Sequence, residues 1–197
     1  MRKNDCVVLV NQSGFDLFDL NGRPSVMEKI EAHRQGTLHR AVSVFIFNER
    51  NDFLLQRRAL NKYHSPGKWT NTCCTHPLPG EATHFTAQRR LYEEMGIVIP
   101  LSEIFTFSYQ ADVGNDLIEN EFDHVFFGLT NHNPTPNPSE VSDWVWVDKE
   151  KLGKELLLNP GKFSVWLRLC FRNVVMYKFN DSENDGTEKS VVERPRL

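Results

Sequence analysis

Thr83-His84-Phe85-Thr86-Ala87-Gln88-Arg89-Arg90-Leu91-Tyr92-Glu93-Glu94-Met95-Gly96-Ile97 is the stretch that decides the fold. It reads as a helix over 83–95 stopped by Gly96, a residue suited to the left-handed conformation that ends a helix. Upstream, Arg40–Asn48 is β-branched and aromatic, which is strand material. A turn over Asn48–Asp52 joins it to a second strand, Phe53–Arg57. Cys6–Val10 and Phe15–Leu20, with turns at Asn11–Gly14 and Asn21-Gly22, read as a further small hairpin. Met27–His39 is polar and charged and gives no clear element. Asn61–Pro79 is rich in Pro, Gly, Asn and Thr and reads as a long loop, a place where function often sits. Downstream, Glu103–Ala111 and Glu119–Leu129 read as strands separated by the turn residues Gly114-Asn115-Asp116. Asn131–Pro138 is a proline-rich loop and Trp144–Val147 a short strand. Asp148 caps a helix running to about Leu158, Pro160 and Gly161 break it, and a last amphipathic helix runs from Ser164 to about Tyr177. Strands and helices are interspersed, so the expectation is a single α/β (α+β) domain over residues 1–179. Residues 180–197 are polar and read as a loose tail.

Composition narrows the partners. A chain of 197 residues suits one domain and buries a core without staples. The net charge of -3 gives no reason to expect nucleic acid, whose binding domains are usually basic. An anionic small substrate would need a local cluster of cations instead. The N-terminal stretch has no apolar core with a cleavage site, and no apolar run is long enough to span a membrane. A reducing, cytoplasmic location is expected, with Cys6, Cys73, Cys74 and Cys170 free. Cys73 and Cys74 are adjacent, and adjacent cysteines rarely pair because the geometry is strained.

The opening helix, with Glu81 upstream, resembles a Nudix box, the loop–helix–loop that binds a divalent metal and a diphosphate. The box has the form G-x5-E-x7-R-E-U-x-E-E-x-G-U, where U is a bulky aliphatic residue. Glu81, Arg89, Leu91, Glu93, Glu94, Gly96 and Ile97 match it. Two positions depart: the leading Gly is Thr75, and the Glu after the Arg is Arg90. In the hydrolases of this family, glutamates at i, i+3 and i+4 share a helical face and hold hard cations. A cation in the first of those places leaves fewer carboxylates and adds a phosphate-binding group. The site should then hold a diphosphate without activating water against it as well as the hydrolases do. Read alone, Glu-Glu-x-Gly on a charged helix is common.

Trp69-Thr70-Asn71-Thr72-Cys73-Cys74-Thr75-His76-Pro77 is more specific. It resembles the catalytic cysteine motif of the type 1 isopentenyl-diphosphate isomerases, which are built on the Nudix fold, a mixed β-sheet flanked by helices. In that family the cysteine two residues before the histidine is catalytic, which is Cys74 here. Cys73 then has no catalytic role by resemblance. The plainer reading is two buried cysteines acting as small apolar residues. The resemblance runs from about Lys29 to Trp166.

Glu119 and Glu121 are two apart, so a β-strand points both to one face. Two carboxylates there repel unless a cation lies between them. Together with His33, His39 and His76 they would suit a borderline divalent ion such as Mn, Zn or Fe. The resemblance implies the same five ligands for one divalent metal (Mn, Zn or Mg), and a second Mg bridging the substrate diphosphate and Glu94. Each histidine alone reads as a surface or capped residue, and His64, His84, His124 and His132 are left as such. Lys29, Arg58, Lys62 and Arg90 are implied to bind the diphosphate. Arg57 alternates with Arg58 and should face away. Glu121 and Cys74 are implied to be the acid–base pair, Tyr109 to bond the glutamate, and Trp166 to close over the hydrocarbon of a small prenyl diphosphate. The bland alternative for Trp166 is a core aromatic on an amphipathic helix. The activity so implied is isomerisation of isopentenyl to dimethylallyl diphosphate. A Nudix hydrolase is the competing reading, disfavoured by Arg90 and by the Cys74/His76 motif; a binding module without catalysis is a third.

Overall fold

The computed structural model describes residues 6–179. Its centre is a mixed sheet built on β3 (His39–Phe47), which pairs antiparallel with β4 (Phe53–Arg58) and parallel with β8 (Leu117–Leu129). β4 pairs with the two-residue β5 (Trp69–Thr70) and with β9 (Val141–Val147). β6 (Cys73–Thr75) pairs antiparallel with β3, and β7 (Ser102–Gly114) with β8. The β7–β8 hairpin turns through Asn115 and Asp116, both at positive φ (57° and 56°). That pair matches the right-handed strand twist, and Asn and Asp tolerate it better than most residues. The expected strands and the Phe53–Arg57 hairpin are present with shifted ends, and the 61–79 segment is loop apart from β5 and β6.

Two helices sandwich the sheet, and residue alternation assigns each strand side chain to one of them. On β3, Val42, Val44 and Ile46 face α2 (Thr83–Met95), where they pack with Leu91, Met95, Leu54, Cys73 and Phe126. Phe45 and Phe47 face the other way and join Val125, Phe53, Leu167, Cys170 and Val174 beneath α4 (Val165–Phe179). Burial of these apolar faces is the main driving force of the fold, at about 25 cal/mol per Å² removed from water. α2 spans the expected residues and ends on Gly96 at φ 67°. A Cβ there would sit 2.7 Å from the Thr135 carbonyl oxygen, so only glycine fits both the conformation and the space. α3 (Lys149–Leu158) starts as expected at Asp148, whose carboxylate accepts from the Glu150 and Lys151 amides.

Two readings of the N-terminal third need correction. Met27–His39 is ordered as β2 (Val26–Glu28), α1 (Lys29–Gln35) and the start of β3. α1 is short and is fixed by its ends: Glu28 accepts from the Glu31 amide, and Gly36 closes the helix in the left-handed region. The ladder partner of β1 (Cys6–Val8) is β2, and the expected hairpin with Phe15–Leu20 is a narrow one about the Val10–Asp16 bridge, where the Leu17 amide donates to the Leu9 carbonyl and the Asn11 amide to the Phe15 carbonyl, with a second bridge from Phe18 to Pro24. Pro24 has no N–H to extend a ladder. The expected tail, 180–197, lies outside the described residues.

Candidate active site

The same alternation builds the site. His39 on β3 is in register with Glu121 on β8, so both point to the α4 face, and Glu119 points there too. Along that face the chemistry changes step by step. It runs from His39, Glu119 and Glu121, through Ser43 and Asp123 joined by a 2.7 Å hydrogen bond, to the apolar cluster of Phe45 and Val125. β6 brings in the cysteines: Cys74 is in register with Ser43 and Cys73 with Val44. Cys73 is therefore in the core under α2, and Cys74 opens into a cavity of about 1000 Å³.

His33 comes from α1, His39 from β3, and His76 from just after β6. His33 and His39 are fully buried. Each holds its Nδ1 against a backbone carbonyl, Lys29 O at 2.6 Å and Thr37 O at 2.8 Å. A carbonyl only accepts, so both protons are on Nδ1 and both Nε2 lone pairs face the cluster. His39 and His76 Nε2 are 3.2 Å apart, and Glu121 Oε1 is 2.9 Å from His76 and 3.7 Å from His39. Glu119 Oε2 lies 3.4 Å from His33 Nε2 and is buried with no hydrogen bond. Nitrogen and oxygen donors about 2.1 Å from one ion lie about 3.0–3.5 Å from each other. The spacing, the tautomers and the unbonded Glu119 oxygen thus fit a divalent cation, and a His/Glu group that can hold one is present.

The expected ligands fall into two overlapping groups joined at His33. One is His33, His39, His76 and Glu121; the other is His33, His64 and Glu119. His64 corrects the sequence reading of a surface residue: it is 4 % exposed, with Nε2 3.2 Å from Glu119 Oε1. Glu94 is apart from both groups. Its Oε1 accepts from Arg90 at 2.5 Å and its Oε2 from Gln56 at 2.9 Å.

Burial by itself would raise the Glu121 carboxyl, but His39 and His76 more than offset this and hold it well below the usual range. Glu119 moves the other way, raised by burial and then by repulsion from Glu121. Burial lowers His33, brings His76 down to about 4 and His64 to about 2. A histidine neutral in the fold but protonating near 6.5 when unfolded makes the unfolded chain bind more protons below that pH. The histidines of the metal-free protein therefore contribute a loss of stability as pH falls from about 6.5 towards 4, by up to about 1.4 kcal/mol per unit per histidine, while Glu119 and Asp123, both raised by burial, work in the opposite direction. Urea midpoints across that range, compared between wild type and His76→Gln, isolate one histidine's share, and an identical pH slope in the two would contradict a dry, neutral His76.

Tyr109 donates to Glu121 Oε2 at 2.6 Å. Trp166, from α4, donates its Nε1–H towards Cys74 Sγ at 2.9 Å and Asn71 Oδ1 at 3.1 Å. Asn71 is a residue the sequence reading did not single out. Its amide donates to the Val44 and Cys73 carbonyls, which fixes Oδ1 as acceptor for the Cys74 thiol at 3.0 Å. Burial pushes the Cys74 thiol up to about 12.

Lys29, Arg58, Lys62 and Arg90 all line the cavity, with Tyr109, Glu121, Cys74 and Trp166. Arg58 is nearly buried, 5.3 Å from the Trp166 ring centre, and donates to the His64 carbonyl. Arg57 is exposed and turned to Gly67. Glu140, also unforeseen, ion-pairs with Lys62 and lies 3.4 Å from Arg90. The box arginine Arg89 grips Glu81 with two 2.7 Å bonds, which holds the loop before α2 on the helix.

A mixed sheet carrying this loop–helix–loop defines a class. The NUDIX domain model matches residues 37–169, and a solved protein of Deinococcus radiodurans superimposes with a TM-score of 0.69. That likeness, at 17% identity over 85% of this chain and 98% of the other, is one of fold. Among curated relatives, isopentenyl-diphosphate Delta-isomerase 1 of Aromatoleum aromaticum is 47% identical over 90% of this chain and 96% of its own length. The isopentenyl-diphosphate Delta-isomerase of Pectobacterium atrosepticum is 48% identical over 82% and 90%. The chain belongs to the Nudix superfamily and, within it, to the isopentenyl-diphosphate Delta-isomerases.

Proposed function

We propose that this chain interconverts isopentenyl and dimethylallyl diphosphate for isoprenoid biosynthesis, by adding a proton to one carbon and removing one from another. The observation that carries the reading is a single cavity lined both by Cys74, Glu121 and His76 and by Arg58, Lys62 and Arg90. A prenyl diphosphate calls for both kinds of lining, proton-transfer groups for its alkene and cations for its anion.

Alkenes are weak bases, so protonation of the terminal carbon needs an acid held against it, worth about 10²–10⁴-fold. It leaves a tertiary carbocation, and loss of a proton from the next carbon gives the allylic product. Cys74 and Glu121 are the proton-transfer pair in this reading. Burial keeps Cys74 as the protonated thiol, and Asn71 accepts its proton in a fixed hydrogen bond. Tyr109 and His76 fix the two oxygens of Glu121. Trp166 and Tyr109 supply buried aromatic walls, which favour a nearby cation and exclude the water that would trap it. Lys29, Arg58, Lys62 and Arg90 bind the diphosphate. When bound, a divalent ion (Mn, Zn or Mg) on His33, His39, His76, Glu119 and Glu121 supplies positive charge beside the carboxylates, and a second Mg at Glu94 neutralises phosphate oxygens. A working thiol at Cys74 suits a reducing compartment such as the cytoplasm.

Incubation with isopentenyl diphosphate tests this. The expected outcome is the acid-labile allylic diphosphate without phosphate release. Release of phosphate would instead indicate a hydrolase, and neither product a binding module.

A further inference from the structure

His64 and Glu119 form a buried contact that no part of the proposed chemistry uses. Glu119 is 2 % exposed, and its two oxygens differ: Oε1 is 3.2 Å from His64 Nε2, and Oε2 has no hydrogen bond and faces His33 Nε2 at 3.4 Å. We propose that His64 is a positioning residue for Glu119, holding one carboxylate oxygen with its Nε2–H so that the other is presented to the histidine cluster.

The proton position follows from the surroundings. His64 Nδ1 is buried without a partner. A proton there would be an unpaired buried donor, and the Nε2 lone pair would then face the carboxylate. Both are unfavourable, so a neutral ring carries its proton on Nε2. The ring itself has little freedom. It stacks on His33 with centroids 5.6 Å apart and planes 28° apart, and stands edge-on to Trp166 at 5.7 Å and to Tyr63 at 4.4 Å. Its backbone carbonyl accepts from Arg58. The loop between β4 and β5 is thereby fastened at one point to the His/Glu group, to the α4 tryptophan and to a diphosphate-facing arginine. Partners that orient a metal-binding carboxylate from behind typically contribute about 10–100-fold in affinity.

This inference rests on the metal-site reading above, and the test separates the two. Zn²⁺ affinity is measured on the full chain by competition with a chromophoric chelator, for wild type, His64→Ala, His64→Gln, His64→Asn and His39→Ala. Glutamine can place an N–H where Nε2 stands, and asparagine is too short. The expected result is a loss of about 10–100-fold for His64→Ala and His64→Asn, and of no more than about 3-fold for His64→Gln, with one ion per chain in each. Unchanged affinity in His64→Ala, alongside a loss in His39→Ala, would overturn the role of His64 and leave the metal site standing. Equal affinity in wild type and His39→Ala would overturn both. A loss in His64→Gln as deep as in His64→Ala would overturn the donor role, since the ring itself would then contact the ion. Thermal melting of the metal-free variants is recorded alongside; a merely structural histidine would lower all three melts without separating Gln from Asn in Zn²⁺ affinity.

Discussion

Cys74→Ala is expected to lower the isomerisation rate by about 10²–10⁴-fold, the range for losing a positioned acid or base, while the fold survives. Cys73→Ala is expected to do the reverse: activity stays near wild type and stability falls by about 1 kcal/mol, as for a core methylene. The contrast comes from strand alternation. Both residues are on β6, but Cys73 is in register with Val44 and is fully buried among Leu91, Met95 and Phe126. Cys74, in register with Ser43, reaches the cavity and meets Asn71 Oδ1 at 3.0 Å and Trp166 Nε1 at 2.9 Å. Removing its sulfur frees the Trp166 N–H to rest on Asn71 alone, so the local network closes without it. kcat/KM and a thermal melt on both variants decide the matter, and comparable activity in the two would sink the assignment.

What could be read in the sequence depended on how local the cause was. α2 was legible because its pattern and its Gly96 stop lie within one stretch. The Glu119/Glu121 pair was legible because period-two alternation needs only a strand. The different faces of Cys73 and Cys74 follow from the same rule, but which face is the core depends on β3, some thirty residues earlier in the chain. α1 escaped because seven residues carry little periodicity and its caps do the work. His64 escaped for a related reason. It sits in Tyr63-His64-Ser65-Pro66-Gly67, a turn-like run that reads as exposed. It is buried because the chain folds back there, with Ser65 at φ 48° and the Gly67 amide donating to the Arg58 carbonyl. Asn71 joins near partners, Cys73 and Cys74, to a distant one, Trp166, while Glu140 meets Lys62 and Arg90, both far away in sequence. A signal was present for Asn71, which lies within the cysteine motif, and none for Glu140.

Arg90→Ala should cost about 2–5 kcal/mol in binding of isopentenyl diphosphate, roughly 30- to 4000-fold in kcat/KM, while the ion of the His/Glu group stays in place. Arg90 is on α2 where hydrolases of this superfamily carry a metal-binding glutamate. In the structure it is a half-buried cation among carboxylates, 2.8 Å from Glu93, 2.5 Å from Glu94 and 3.4 Å from Glu140. Burial would lower its pKa, but Glu94 and then Glu140 more than compensate and raise it, so it stays charged. Its Nε is buried without a hydrogen-bond partner. The alanine variant therefore loses a phosphate ligand and also leaves Glu94 without its guanidinium partner, so a drop in melting temperature accompanies the kinetic loss. Added Mg²⁺ should restore the melt, by neutralising Glu94, more than it restores catalysis. Arg90→Glu completes the acidic run of the box beside Glu93, Glu94 and Glu140. It should bind hard cations more tightly, fail to rescue isomerisation, and release phosphate slowly. Kinetics of both variants with phosphate release measured alongside, together with metal content after dialysis, separate these effects. Near-normal kcat/KM in Arg90→Ala would refute the diphosphate role, and loss of the ion from the His/Glu group would show that Arg90 and that group act as one site.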